Sequence, residues 1–552
     1  MDNSKYIDYL NTLHNFEAKN QNAFTEENQN NIYFEKTMVE RGVGEYISKS
    51  LLMEEPHMLI LTGHAGDGKT GLLLQVLNKW RVLNHARLKA CDDILMPNGK
   101  ELTYIKDFSE LNIESRKEIL DSCINRLQEK SVFLVANTGP LLASFKNILS
   151  ENDYLDFVNS IDTNDGLIKD YSGIKVAVIN IATIDNSGFV SLFVNKIINE
   201  ELWSGCSNCK KKEYCPIFFN KERVRENFVH ITDFIKLHYI WQQEYMKKLT
   251  IRQIVAHLSF MFTGGLSCKQ VKNNKYIKFT YLFSNLFFGY LGLEKFKQAS
   301  RVKAIEDISA MKYSEKKLHA DEALFIKRDF SCFTAPVRNL LAELGEDTFY
   351  KESWQRSVRR AYIMQNLDTD QEHYEQMIKD VFSECYPRYL DLRGGKQPTS
   401  TDKELIKDAI SMIFLGSIQK SQEILITLNR ESGVVQSVQM VVGELSKNKI
   451  KLRQEEIISF QENNSYKIKL EIYGHELNTD ISLPLVNYFV DIRNGAITTD
   501  LDPILSHGVD SIKAQIISIV NENEDCLKLA ILKRDGWELQ EAELSDGKWR
   551  II

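Results

Sequence analysis

The 552-residue sequence predicts an α/β fold: a parallel-sheet core, then a helical region, then a separate α/β module. Three observations predict it. Short apolar runs alternate with helical stretches up to about residue 200. Helical periodicity dominates from there to about 430. Strand-like runs then return among helices.

Residues 1–36 are rich in Asn, Glu and Gln and read as a peripheral helix or flexible lead-in. The core, 37–200, opens with the apolar strand Met58-Leu59-Ile60-Leu61, a Gly-rich loop, and a helix carrying Leu72, Leu73, Leu74, Val76, Leu77 and Trp80. Three more strands are expected: Leu102 to Ile105, Val132 to Ala136 and Val176 to Ile181. Helical stretches separate them, so crossover helices and parallel pairing are the economical topology. Residues 201–310 hold a cysteine-rich knot and a helical lid, and 311–400 read as helical. Arg393 to Thr401 reads as a loop or linker before the module at 401–552, where Glu423 to Leu428, Tyr466 to Tyr473 and Leu527 to Leu532 are strand-like.

Composition bounds the function. The chain is 43% hydrophobic and 26% charged, as folded soluble proteins are. A net charge of -7 argues against a surface coated with Lys and Arg to grip DNA, and leaves a local basic groove or a gripping partner. The N-terminus lacks a signal-peptide layout, and the apolar stretch Tyr281 to Phe288 is short and polar-interrupted, a buried core helix and not a membrane span. Nine cysteines without a secretory signal suggest a reduced, cytoplasmic setting, where clustered thiols point to metal.

The loop Gly63, His64, Ala65, Gly66, Asp67, Gly68, Lys69, Thr70 fits G-x-x-x-x-G-K-T. Glycines let backbone amides approach phosphate oxygens, and the following helix N-terminus adds partial positive charge. Lys69 would reach the β- and γ-phosphates and the Thr70 hydroxyl would ligate magnesium. With a strand before it and a helix after it, this predicts an AAA+-like P-loop NTPase core that binds ATP and Mg²⁺. Hydrolysis needs an acid at a strand end. The strand at Val132 ends instead in Asn137; Asp107 and Glu110, after the previous strand, are the nearest acidic candidates, with helix capping or a solvated turn as the plain alternative. Asn180 is a candidate phosphate sensor or a strand-end hydrogen bond. Arg252, opening an amphipathic helix, is a candidate γ-phosphate contact or a surface ion pair. Arg359 and Arg360 fit an arginine finger or, more commonly, a solvated helix face.

Cys206-x2-Cys209-x5-Cys215-Pro216 places three thiols close together. A tetrahedral zinc site needs a fourth ligand. Cys268 is the first choice; His230 and His257 are alternatives. The same spacing suits a four-iron, four-sulfur cluster (4Fe-4S), and a reduced cysteine turn is the metal-free reading.

Together the phosphate loop, Lys106 to Glu110, Ala136 to Leu141, the cysteine knot and Leu249-Thr250-Ile251-Arg252 carry a resemblance. Over roughly residues 40–310 the chain resembles the DptF family, the P-loop subunits of phosphorothioation-dependent restriction systems of bacteria. The resemblance implies phosphate binding by Lys69 and Thr70 and structural metal binding by the cysteines. It implies an ATPase acting with helicase-like and nuclease partners against DNA that lacks phosphorothioate modification. DNA would be met through the complex, and a homo-oligomer is compatible. A weakly hydrolysing switch or scaffold that regulates a partner nuclease is the second reading. A small-molecule kinase is weaker, because such enzymes are compact.

Overall fold

Strand β1 (Met58–Gly63) is buried at every residue and lies at the middle of a six-stranded sheet. The computed structural model describes residues 3–14, 31–82, 88–348, 352–365, 371–428, 436–460, 462, 464–496, 501–520, 526–534, 536–545 and 548–551. The chain divides into two units: Met1–Val381 with Ile458–Asn463, and Phe382–Ile457 with Asn464–Ile552.

In the first unit the sheet adds β2 (Cys91–Leu95), β3 (Glu101–Ile105), β4 (Ser131–Asn137), β5 (Ile168–Tyr171) and β6 (Ile174–Asn180), in the order β2-β3-β4-β1-β6-β5. The four expected strands pair in parallel: β3 with β4, and β1 with β4 and β6. Their apolar runs follow from burial on both faces. The two edge strands, β2 and β5, pair antiparallel.

The N-terminal helices are α1 (Asn3–Leu13), α2 (Ile32–Thr37) and α3 (Gly42–Leu51). Helix α4 (Lys69–Lys79) follows β1. It packs Leu72, Leu73, Val76 and Leu77 with Val43, Ile47 and Leu59 on one face of the sheet. The other face is covered by α5 (Ile113–Arg126), α6 (Thr138–Phe145) and α7 (Glu151–Thr163), through Leu120, Leu141, Phe145 and Phe157. Sidedness of this kind is what crossover helices impose.

Helix α1 takes the helical alternative of the lead-in reading, and it is packed. Tyr6, Tyr9, Leu10 and Leu13 recur at helical spacing and are buried, and the Tyr6 hydroxyl donates to Ile197 O at 2.9 Å. That spacing makes one apolar stripe, which needs a packing partner. The rest of the predicted lead-in, 15–30, lies outside the described residues.

The helical region continues with α8 (Phe189–Ile197), α9 (Pro216–Glu226), α10 (Phe228–Glu244), α11 (Ile251–Thr263), α12 (Ile277–Thr280), α13 (Phe283–Phe287), α14 (Lys303–Met311), α15 (Ala335–Thr348), α16 (Glu352–Gln365) and α17 (Gln371–Val381). A short hairpin, β7 (Tyr290–Leu291) and β8 (Glu294–Lys295), interrupts them. The predicted core helix at Tyr281 to Phe288 is buried but broken, because Leu282 is extended between α12 and α13.

The second unit has α18 (Tyr386–Arg393), α19 (Ser400–Leu415), α20 (Leu483–Arg493) and α21 (Pro503–Val520). Two antiparallel sheets accompany them. One joins β9 (Glu423–Thr427) and β10 (Val438–Ser446) to three later strands; the other is β11 (Ile450–Ile457), β12 (Ser465–Ile472) and β13 (His475–Glu476). The later strands are β14 (Cys526–Lys533), β15 (Gly536–Ser545) and β16 (Lys548–Ile551), giving the order β16-β15-β14-β10-β9. The three strand-like runs of the sequence fall in β9, β12 and β14. Helix α21 approaches β10 so closely at Gly443 that an added Cβ would lie 2.2 Å from Val520 O. No helix among the described residues is long and apolar enough to cross a membrane.

Candidate phosphate-binding site

The carboxyl ends of β1, β3, β4 and β6 share one edge of the sheet, where open parallel sheets bind ligands. The loop 64–68 leaves β1 there and enters α4. Gly66 and Gly68 have φ of +93° and +90°, a region closed to most side-chain-bearing residues. Gly68 offers no side-chain cap to α4. The first-turn amides, which have no intrahelical acceptor, are therefore left for an anion.

Asp67 is buried, and its Oδ2 accepts the His64 amide at 2.8 Å, closing the loop on itself. Lys69 Nζ donates to Gly63 O at 3.1 Å, His64 O at 2.8 Å and Asn137 Oδ1 at 2.8 Å. Asn137 is the β4 residue in register with Gly63, and its amide donates to Ser109 Oγ at 2.6 Å. A neutral side chain next to the loop thus anchors the lysine.

A carboxylate stands at the end of the next strand over. Asp107 follows β3 in a left-handed conformation, φ 57° and ψ 36°, and makes no capping hydrogen bond. Helix capping is thereby removed as its explanation. Backbone strain of this kind persists where surrounding structure enforces it and concentrates at functional sites. Asp107 pairs with Lys106 at 3.4 Å, and its charge also acts on Lys69. Glu110 is exposed on the short turn of helix after Asp107 and is not among the charges acting on Lys69. Of the two acidic candidates, Asp107 is the partly buried one and the one whose charge acts on Lys69.

Arg252 is brought to the loop by α11. Its amide donates to Gly66 O at 3.0 Å, and Thr250 and Ile251 pack against Gly66 and Gly68. Thr250 caps α11 in a reciprocal pair with Gln253, which fixes where the helix starts. Arg252 lies close enough to oppose the charge of Lys69.

Two cations at this site carry no sequence signal. Lys248 donates to Ile181 O at 3.3 Å and to Ala182 O, and feels Asp67 and Asp185. Arg41 donates to Asp67 O at 3.4 Å and Asn186 Oδ1 at 3.4 Å, and its Nε pairs with Glu462 at 3.2 Å in a nearly buried bridge. Asn180 makes strand-end hydrogen bonds: its Oδ1 accepts the Ala182 amide at 3.1 Å and its Nδ2 donates to Ile161 O at 3.4 Å. Thr70 lies in the first turn of α4, partly buried.

Burial lowers the pKa of Lys69 to about 8, against opposing pulls from Asp67 and Asp107. Burial likewise takes Lys248 to about 8. The ordinary lysine value is 10.5. The fold therefore disfavours the charged amines at pH below about 8, and that cost is relieved as pH rises from about 8 towards 10.5. Stability of the unliganded protein is expected to gain over that window. Affinity for a triphosphate, which needs charged Lys69, is expected to fall over the same window. Melting curves with and without ATP across it test both signs; a ligand-induced shift that grows with pH contradicts the assignment.

Neither arginine-finger candidate is available. Arg359 forms a two-pronged bond to Asp321 at 3.0 and 2.8 Å. Arg360 is fully buried, donates to Asn285 Oδ1 at 3.0 Å and stacks 3.9 Å over the Tyr290 ring. Both hold the helical region together.

The cysteine loop runs between a short helix ending at Cys206 and α9, which begins at Pro216. Cys209 Sγ accepts the Lys211 amide at 3.4 Å, and the amides of Phe218 and Ile217 favour the Cys215 thiolate against its burial. Lys211 Nζ donates to Cys268 O at 2.9 Å and Val271 O at 2.8 Å, tying this loop to the one after α11. Burial, with Cys215, Cys206, Asp8 and Cys209 nearby, pushes the Cys268 thiol up to about 12. His257 is excluded as a ligand, since Tyr239 and Phe287 O occupy its two nitrogens at 2.7 and 2.9 Å. Among the described residues no three His, Cys, Asp or Glu side chains converge as a metal-holding group.

No protein-family model matches the chain, and no curated protein matches it significantly.

Proposed function

We propose that this chain is an ATP-binding, ATP-hydrolysing subunit of a bacterial DNA restriction complex, of the DptF kind, acting on DNA that lacks phosphorothioate modification. The observation that carries the nucleotide part is the meeting of Lys69, Asn137, Asp107 and Arg252 at one glycine loop. In this reading the amides of the loop and of the first turn of α4 hold the β- and γ-phosphates. Lys69 exchanges its carbonyl partners for phosphate oxygens. Thr70 and Asp107 would hold Mg²⁺, which would offset phosphate charge. Arg252 stabilises charge on the γ-phosphate from α11. Asn137 keeps Lys69 in place and does not act as a base.

Restriction, the partner helicase and nuclease, and the DNA target rest on the resemblance in the sequence alone. Steady-state ATP turnover, with and without unmodified DNA and companion subunits, tests the reading. DNA-stimulated turnover supports it. Tight retention of nucleotide with no turnover under any condition replaces it with the second reading, a nucleotide-held switch for a partner nuclease. The neutral strand end at Asn137, where an acid was expected, is what favours that second reading.

The donor set of Cys206, Cys209, Cys215 and Cys268 fits Zn²⁺ by its chemistry. The thiols of Cys206, Cys209 and Cys215 are near enough to act on Cys268, and the Lys211 amide donates to the Cys209 sulfur. Bound there, zinc would staple the cysteine loop to the segment after α11; a 4Fe-4S cluster is the competing occupant. About one zinc per chain by elemental analysis, without visible absorbance, is expected. Iron with a visible band selects the cluster, and neither metal leaves a plain thiol turn.

A further inference from the structure

We propose that the second unit carries its own nucleic-acid site, an open basic concavity that takes the phosphate backbone of duplex DNA. Its cations are Lys403 and Lys407 on α19, Lys447 between β10 and β11, and Lys451 and Arg453 on β11. These five line a concavity of 360 Å³ together with Asn448 and two aliphatic residues, and no carboxylate lines it. The whole chain is net -7, so this is charge concentrated against the average.

The arrangement is built and not incidental. Lys451 and Arg453 alternate with Leu452 and Gln454 along β11, so the strand's period places both cations on one face. Glu471, in register with Lys451 on β12 and diagonal to Arg453, pairs with them at 3.0 and 2.8 Å. Gln454, on the other face, is bonded to Leu392 O at 2.7 Å and Lys396 O at 2.9 Å, which locks the strand. Lys447 Nζ is fixed on Gln419 O at 2.5 Å. Lys403 and Lys407 are one helical turn apart, and among the described residues neither makes an ion pair. Like charges at that spacing destabilise a helix, and Lys403 also sits near the helix's positive end. Glu471 answers Lys451 and Arg453, and Glu476 adds its charge at Arg453, so among the described residues Lys403, Lys407 and Lys447 are the cations left for an external anion to balance.

The shape of the chemistry selects the ligand. No aromatic side chain lines the concavity, so there is no platform for stacking unpaired bases. Ile450 is buried and Leu452 partly so, leaving no exposed apolar wedge for a lipid surface. Cations spread over a helix and a strand, open to solvent, match a string of phosphates better than one small anion.

The test uses the full chain, without nucleotide, and a short fluorescein-labelled DNA duplex whose anisotropy is followed against salt. Because no ATP is present, the result does not depend on the glycine loop. Wild type is expected to bind with a steep salt dependence. The double substitution Lys403→Gln with Lys407→Gln, on exposed or half-exposed helix positions, is expected to weaken binding by about tenfold or more. It should also flatten the plot of log K against log salt by roughly 1.8, at about 0.9 for each phosphate no longer neutralised. An unchanged melting temperature and unchanged ATP binding in that variant attribute the weaker binding to the concavity. Wild type that does not bind the duplex, a variant that binds it equally well, or a preference for single strands or anionic vesicles over the duplex each overturns the proposal.

Discussion

Lys69→Ala is expected to weaken ATP binding by at least about 100-fold while leaving the unliganded fold intact. Before nucleotide binds, the amine donates to two loop carbonyls and to Asn137. With a triphosphate bound, the carbonyl bonds are replaced by charge-assisted bonds to phosphate, worth about 1.5–3 kcal/mol each. Their removal amounts to roughly 3–6 kcal/mol, or about two to four decades in Kd. Little stability goes with the side chain, because burial already disfavours the charged amine. Calorimetric titration with ATP and Mg²⁺, beside a melting curve of the unliganded variant, reads both effects. Wild-type affinity in the variant removes Lys69 from the site. If the alanine variant melts early, Lys69→Met keeps the stem packing and repeats the measurement.

Much of the sheet was legible in the sequence, and the reason is local. The strands β1, β3, β4 and β6 are buried on both faces, so they stand out as unbroken apolar runs. The edge strand β2 alternates exposed and half-buried residues over Cys91–Leu95, with two aspartates, and has no such run. Loop chemistry was legible for the same local reason: Gly66, Gly68 and Lys69 are contiguous. What sequence could not give is adjacency. Lys248 and Arg41 reach Asp67 only because α11 and the segment before α3 fold back on the loop. Ser109 fastens the end of β4 from a neighbouring strand's turn. The strand that ends in Asn137 is where an acid would ordinarily stand, and along the chain nothing says which other strand could supply one. In the sheet, β4 stands between β1 and β3, and the carboxylate arrives from β3.

That placement gives the prediction that separates a working ATPase from a passive switch. Asp107→Asn is expected to lower ATP turnover by about 100-fold or more while Mg²⁺-ATP binding falls only a few-fold. Asparagine is the right probe, because Asp107 sits at φ 57° and asparagine tolerates that region as well as aspartate does. The substitution therefore removes charge without forcing the turn open, which alanine would not guarantee. Glu110→Gln serves as the contrast: this side chain is exposed, so turnover should stay near wild type. Single-turnover rates and nucleotide affinity for both variants decide the matter. A large drop at Glu110 with none at Asp107 would transfer the acid to the helical turn and make the strained strand end structural. Equal, small effects at both would leave the site without a catalytic carboxylate, and the neutral contact between Asn137 and Lys69 would then describe a loop built to hold nucleotide and not to cleave it.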